Sequence, residues 1–413
     1  KLSHYGKVFE GYNAENTSLF YKKFLFFRQK ISFYCYLANE IIKNKDRFKD
    51  NFLVFRTLGV NAPHLIKLFN TLKYLRLLRI FYCFGDIILK IFPVNHLKKN
   101  KIFDKIDMVL ISYKIYDPSG FCDELIRCCK INKIISYGIQ VNWDALVFRI
   151  PYQIPDYVGV WGEQSFVFSC AVHKISPYRI FPIGPLLFDK YKKLVISKKQ
   201  ARTMLGLPEN KKIIAVCLSD NAFDNIFLIK KINECLKKEL FDDEFYFYFK
   251  GYTGGKKDSL ADAFKKEYNT NYEKIDFHDN IKFWEPNEDK LTNKEYYQFF
   301  YKAIDGVVSN FSTMALESLI NSVPTLILDY NPADYGVNSV GYPFRLYSYH
   351  LYSLRNQEGI NFCNSREELA EKIRNFSNIS VTDKKNLIQK TLSSIYWDDN
   401  FASDKLIRSL DTI

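Results

Sequence analysis

Short apolar runs alternate with amphipathic stretches over most of this chain, which is the pattern of a parallel sheet with helical crossovers. "IDMVLISY" (106–113) predicts a strand, "DPSGFCDELIRCCKI" a turn and helix, and "KIISYGIQVNW" (133–143) the next strand. "DYVGVWG" (156–162) is a strand followed by a helix through His173, and "RIFPIGP" (179–185) closes the half. A polar, basic stretch with Gly206 and Pro208 marks a domain junction. A second series follows: a strand over 212–219, a helix over 224–240, a strand over 244–251 and a helix over 294–303. Then comes "VVSNFSTMALESLINSVPTLILDY" (307–330), a strand–helix–strand unit, with helices over 365–376 and 384–410 ending the chain. The expected fold is α/β: two doubly wound, Rossmann-like domains with a cleft between them. Residues 1–190 form the first, 191–382 the second, and 383–413 a C-terminal helix packing back on the first.

The N-terminal hundred residues have a different pattern. Helices are expected over 17–49 and 64–92, the second apolar enough to raise the question of a membrane span. Lys67, Lys73, Arg76, Arg79, Asp86 and Lys90 interrupt it, so a spanning helix is excluded. Its polar positions recur every three residues and drift around the helix, which suits either an interfacial helix or a half-buried one with snorkelling cations. Residues 1–100 carry 18 Lys+Arg against 6 Asp+Glu, whereas the whole chain has a net charge of +13. The excess therefore sits almost wholly in this segment and points to an anionic partner. An anionic membrane surface is the expectation, against a plain solvated basic face. Nucleic acid is set aside, because the aromatic residues lie in apolar helical runs rather than on a presented sheet or groove.

The 47% apolar composition excludes global disorder. Nine cysteines are scattered without a CxxC pair, which excludes a common zinc module and suits a reducing cytosol. No acidic or histidine cluster has ligand spacing, so no metal and no cofactor are expected. The first residue is Lys, so a start outside this sequence is expected.

The strand–helix–strand unit at 307–330 carries the candidate chemistry. Ser312 and Thr313 stand where the helix begins, and Glu317 lies one turn further on the same face. Free N–H groups and the positive dipole end there can bind phosphate, and a carboxylate one turn behind can accept hydrogen bonds from a ribose diol. In parallel sheets such ligands sit at the carboxyl ends of strands. Taken alone, the segment favours an ordinary N-cap with an exposed helical Glu.

"STMALESLINSVPTLIL" resembles the donor-site signature of GT-B glycosyltransferases, with Asn321-Ser322 standing where a Gly is common. "IQVNWDALVFRIPYQIPDYVGVWGEQSFVFSCAVHKISPYRIFPIGPLLFD" (139–189) resembles a block of bacterial surface-carbohydrate synthesis proteins, including relatives of CDP-glycerol glycerophosphotransferases and Kdo transferases. "NFCNSREELAEKI" and "IYWDDNFASDKLIRSL" follow in that group's order. The resemblance covers 106–410 and implies a GT-B-like fold and a cytoplasmic enzyme, peripheral at the inner face of the bacterial inner membrane. It would move a sugar from a CMP- or UDP-linked donor to a glycan or lipid-linked glycan acceptor such as O-antigen or capsule. Glycerophosphate transfer from CDP-glycerol, and 2-epimerisation of a sugar nucleotide, remain open alternatives. One departure stands out: relatives carry His-Pro after a basic residue where this chain reads "FKGYTGGKK" (249–257), with Lys250 alone.

The implied donor-binding set is Ser219, Lys250, Ser309, Ser312, Thr313 and Glu317. Transfer also needs a group that orients or deprotonates the acceptor hydroxyl. Asp117, Asp144, Glu163 and Asp220 fall at strand ends, and the catalytic candidates are Asp144, Glu163 and Asp220. The alternative for Asp144 and Glu163 is a helix N-terminal cap or first-turn acid. Trp143 and Trp161 are expected to pack rather than to stack on sugar.

Overall fold

The computed structural model describes residues 103, 106–113, 121–143, 146, 153–171, 173, 175–193, 196–218, 225–251, 276–284, 293–310, 312–335, 354, 360–376, 395–396, 398 and 400–413. The basic segment 1–100, and with it the membrane-facing expectation, lies outside them, as do Asp117, Asp144, Ser219 and Asp220. Among the described residues no helix is long and apolar enough to cross a membrane.

The described chain divides into two compact units, one reaching Gly184 and resuming at Leu406–Ile413, the other spanning Pro185–Lys405. The first holds β1 (Met108–Tyr113), α1 (Phe121–Asn132), β2 (Ile135–Gln140), β3 (Tyr157–Val160), α2 (Glu163–Ala171) and β4 (Ile180–Pro182). Its four strands are all parallel, in the order β1-β2-β3-β4. Strands joined by helical crossovers in chain order give this arrangement, as the alternating pattern predicts.

Close packing here depends on two glycines. A Cβ at Gly138 would stand 2.8 Å from Pro155, and one at Gly159 would stand 2.5 Å from Ile183. Ser136 and Asp156 exchange hydrogen bonds between β2 and the start of β3 at 2.6 and 3.0 Å. Buried Gln140 clamps the far strand ends: it donates to the Trp143 carbonyl at 3.1 Å and accepts from the Trp161 N–H at 2.8 Å. Both tryptophans are buried, so much of the "VNW…VWG" block is a packing device.

The second unit contains α3 (Asp189–Lys193), α4 (Lys198–Met204), β5 (Lys212–Cys217), α5 (Asn225–Lys237), β6 (Phe245–Lys250), β7 (Ile281–Phe283), α6 (Asn293–Ala303), β8 (Gly306–Ser309), α7 (Thr313–Ile320), β9 (Thr325–Leu328), β10 (Ile360–Cys363) and α8 (Leu369–Phe376). The parallel sheet runs β10-β9-β8-β5-β6-β7. The chain therefore starts in the middle, winds outward through β6 and β7, then returns to the other side of β5. That is the doubly wound order, with its reversal between β5 and β8. Its core is built from β5, β6, β8 and β9 packed against α5 and α8.

Arg202 of α4 is buried and fixes the entry to β8. It donates to the Ala303 carbonyl at 2.9 Å and pairs with Asp305 at 2.6 Å, while Asp305 also accepts the Ile213 N–H at 2.8 Å. A capping box of Ser197 and Gln200 starts α4.

Several boundaries differ from the sequence pattern. The helix expected through His173 stops at Ala171, and the one expected from 365 begins at Leu369. Before it, Ser365 and Glu368 exchange backbone contacts as a capping pair. The helix expected over 384–410 is not continuous: Ile395 and Tyr396 form a turn, and α9 spans only Ala402–Leu410. Asp398 accepts the Asn400 N–H at 2.9 Å, and Asp189 accepts those of Ala402 and Ser403 at 2.8 and 2.9 Å, so side chains start a new helix there. Ser409, near the end of α9, hydrogen-bonds to Tyr137 at 2.9 Å.

Candidate functional site

The winding of the second sheet reverses at the carboxyl ends of β5 and β8, where open α/β sheets bind ligands. Cys217 ends β5, and its register partners are Ser309 on one side and Lys250 on the other. Adjacent strands are about 4.8 Å apart, so these three residues form a row at the sheet's edge. Directly beyond Ser309, the chain turns into α7.

That turn has polar groups to spare. Ser312 takes the N-cap position with extended backbone, yet its side chain makes no capping hydrogen bond. Its hydroxyl instead lies 3.3 Å from that of Ser309, which donates to the Asn310 carbonyl at 2.6 Å. The ordinary N-cap account of Ser312 is thus not what forms. Asn310 is 5% exposed, and its Nδ2 has no hydrogen-bond partner among the described residues. The first N–H groups of α7 have no intrahelical acceptor by construction. Thr313 opens the helix, half-buried.

The helix ends as unusually as it begins. Ser322 has φ +61°, in the left-handed region, and the Val323 N–H returns to the Ser318 carbonyl at 2.9 Å. This is the geometry for which glycine is preferred.

Glu317 projects from α7 into an enclosure of rings and cations. Its side chain is 14% exposed; the Tyr191 hydroxyl donates to Oε2, and Lys190 Nζ stands 3.9 Å from the same oxygen. Lys190 Nζ lies 4.7 Å from the Tyr297 ring centre, and Lys250 Nζ lies 5.0 Å from it. Two ammonium groups therefore share one aromatic ring. Lys250 also sits 5.3 Å from the Trp284 ring, is 5% exposed, and forms no ion pair among the described residues. A buried ammonium outside a direct ion pair is costly, and an incoming anion would relieve that cost.

Burial pushes the Glu317 carboxyl above its ordinary range, while Lys190, the Tyr191 hydrogen bond and Lys250 pull it back. Burial, followed by the charge of Glu317, raises Tyr191 far above the usual phenol value, so it stays a donor. The Cys217 thiol is pushed up to about 12 by burial, against the pull of Lys250, so it is no nucleophile at neutral pH.

Of the sequence candidates, Ser309, Ser312, Thr313, Glu317 and Lys250 all belong to this unit. Ser309 and Lys250 share the strand-end row, and Lys250 and Glu317 interact electrostatically. Glu163 opens α2 in the other unit and is exposed. Lys190, Tyr191, Tyr297 and Asn310 were not legible in advance. Tyr191 lies 126 residues from Glu317 in sequence, and only the fold joins them.

No protein-family model and no curated protein sequence matches the chain. Solved structures are similar in fold. A putative UDP-N-acetylglucosamine 2-epimerase from Listeria monocytogenes matches at a TM-score of 0.50 and 11% identity, covering 77% of each chain. The S. aureus MnaA–UDP structure matches at 0.48 and 13%, covering 77% of this chain and 78% of that one. A wall teichoic acid polymerase TagF variant with CDPG matches at 0.44 and 12%, covering 75% and 71%. With two parallel-sheet α/β units, a doubly wound second sheet and this likeness, the chain has a GT-B-type fold.

Proposed function

We propose that this chain is a glycosyltransferase that moves a sugar from a CMP- or UDP-linked donor to a surface-glycan acceptor such as O-antigen or capsule. The observation that carries the reading is the convergence at one strand reversal of a helix start, a buried Lys250 that forms no ion pair among the described residues, and a partly buried Glu317. Phosphate oxygens would take the free N–H groups of α7, the hydroxyls of Ser312 and Thr313, and the Lys250 ammonium. Glu317 would accept from the ribose. A fixed positive environment of this kind stabilises charge developing on the leaving phosphate. Acceptor activation falls to a carboxylate. Asp144, Glu163 and Asp220 are the candidates for it, by their place in the sequence. No metal or cofactor enters this scheme.

Thermal shift and calorimetry with UDP-, CMP-, GDP- and CDP-linked donors test the reading. Stabilisation by at least one is expected, and loss of that stabilisation in Glu317→Ala places it at this site. Silence from all four removes it. Incubating donor without acceptor separates transfer from 2-epimerisation, which would convert the sugar unaided. Epimerisation also leaves the charge of the first hundred residues without a purpose.

A further inference from the structure

We infer that Tyr191 is a positioning residue that commits one oxygen of Glu317 and leaves the other as the sole acceptor for a nucleoside's ribose. The inference rests on the donor-site reading above and specifies how that site reads the sugar of its nucleotide. Tyr191 and Lys190 both address Oε2. No hydrogen bond from any described residue reaches Oε1.

Tyr191 is held firmly. Its ring packs edge-on against Tyr301 at 5.5 Å and at a tilt against Phe188 at 5.9 Å. The short helix that carries it is tied down by Asp189 accepting from Ala402 and Ser403, by Gln298 donating to the Lys190 carbonyl, and by Lys192 donating to the Asn400 carbonyl. A hydroxyl so placed is pre-organised, so holding Glu317 requires no further ordering on ligand arrival. A carboxylate free at both oxygens could take one ribose hydroxyl on each. Glu317 instead presents Oε1 alone, so both hydroxyls compete for one oxygen and the one better aligned with it dominates recognition.

Titratable and charged groups around Glu317 come from four elements: Lys190 and Tyr191 of α3, Lys250 of β6, Cys217 of β5, and Tyr297 and Tyr301 of α6. Removing the Tyr191 hydroxyl deletes a hydrogen bond that favours ionised Glu317, so protonation then occurs at higher pH.

The test measures calorimetric affinity of the full chain for UDP and CDP and for their 2′-deoxy and 3′-deoxy forms, in the wild type and in Tyr191→Phe. In the wild type, loss of one hydroxyl should weaken binding roughly tenfold, and loss of the other far less. In Tyr191→Phe the asymmetry should collapse, and the acidic limb of the binding profile should move to higher pH. Equal losses for the two deoxy forms in the wild type overturn the inference without any variant, so a failure of Tyr191→Phe to fold does not protect it. Tighter binding by Tyr191→Phe also overturns it, since the phenol would then be competing with the ribose. If Glu317→Gln abolishes binding while Tyr191→Phe leaves both the asymmetry and the pH profile unmoved, the positioning role fails and the donor reading stands. If no nucleotide binds the wild type, both fall.

Discussion

Ser309 and Lys250 are register partners of the same residue, Cys217, and so end neighbouring strands on either side of it. This pairing puts a hydroxyl and a buried ammonium on one sheet edge, at the point where the winding direction reverses. Neither residue is near the other in sequence. Their common edge makes the end of β5 the natural centre of the site.

Lys250→Met should separate binding from stability. The substitution keeps the stem against Trp284 and Tyr297 but removes a buried charge that forms no direct ion pair among the described residues. Unfolding free energy should rise by about 1 kcal/mol in urea denaturation without ligand. Nucleoside diphosphate affinity should fall by roughly tenfold or more in calorimetry. A variant that loses stability and keeps affinity would show that Lys250 serves the fold alone.

Ser322→Gly should stabilise the protein. Ser322 holds a left-handed backbone at the end of α7, which costs a residue with a side chain about 1 kcal/mol relative to glycine. Denaturation monitored in the second unit should show a gain of that order. Ser322→Val should show a loss, because a β-branched side chain tolerates that conformation worse.

Asp305→Ala should be among the most damaging single changes in the second unit. It strands the buried Arg202 guanidinium and frees the Ile213 N–H at the start of β5. A cost of about 3 kcal/mol is expected. Asp305→Asn keeps an acceptor for Ile213 and should cost less. Matched urea titrations distinguish the two.

His173 predicts a pH dependence in the first unit. Its Nε2 lies 2.6 Å from the Leu146 carbonyl, and burial pushes its pKa down to about 4. The unfolded chain binds a proton near pH 6.5, while the folded ring stays neutral until about pH 4. Stability is therefore complete above pH 6.5 and should fall by about 3 kcal/mol as pH drops towards 4. Hydrogen exchange of α2 and β3 amides should show that loss, and His173→Gln, which keeps a donor for Leu146, should flatten it.

The strands and crossovers were legible because burial on both faces leaves continuous apolar runs, as in "KIIAVC" and "GVVS". β7 (Ile281–Phe283) was not, since three half-buried residues carry too little pattern. The break before α9 was missed because part of its cause is a carboxylate elsewhere in the chain, Asp189. Local sequence could place Ser312 at a helix start. It could not show that the Ser312 hydroxyl turns to Ser309 and leaves the cap unmade.

Local chemistry in the sequence was enough to specify strand, turn and helix at 307–330 and to put Glu317 one turn behind Thr313, because backbone geometry repeats with fixed periods. The company that Glu317 keeps was decided only by the fold. Tyr191, Lys190, Tyr297 and Lys250 come from three different elements. They share one enclosure because sheet register and the tethering of a five-residue helix bring them there. Contacts between distant segments depend on how elements pack, and no window along the chain contains that information.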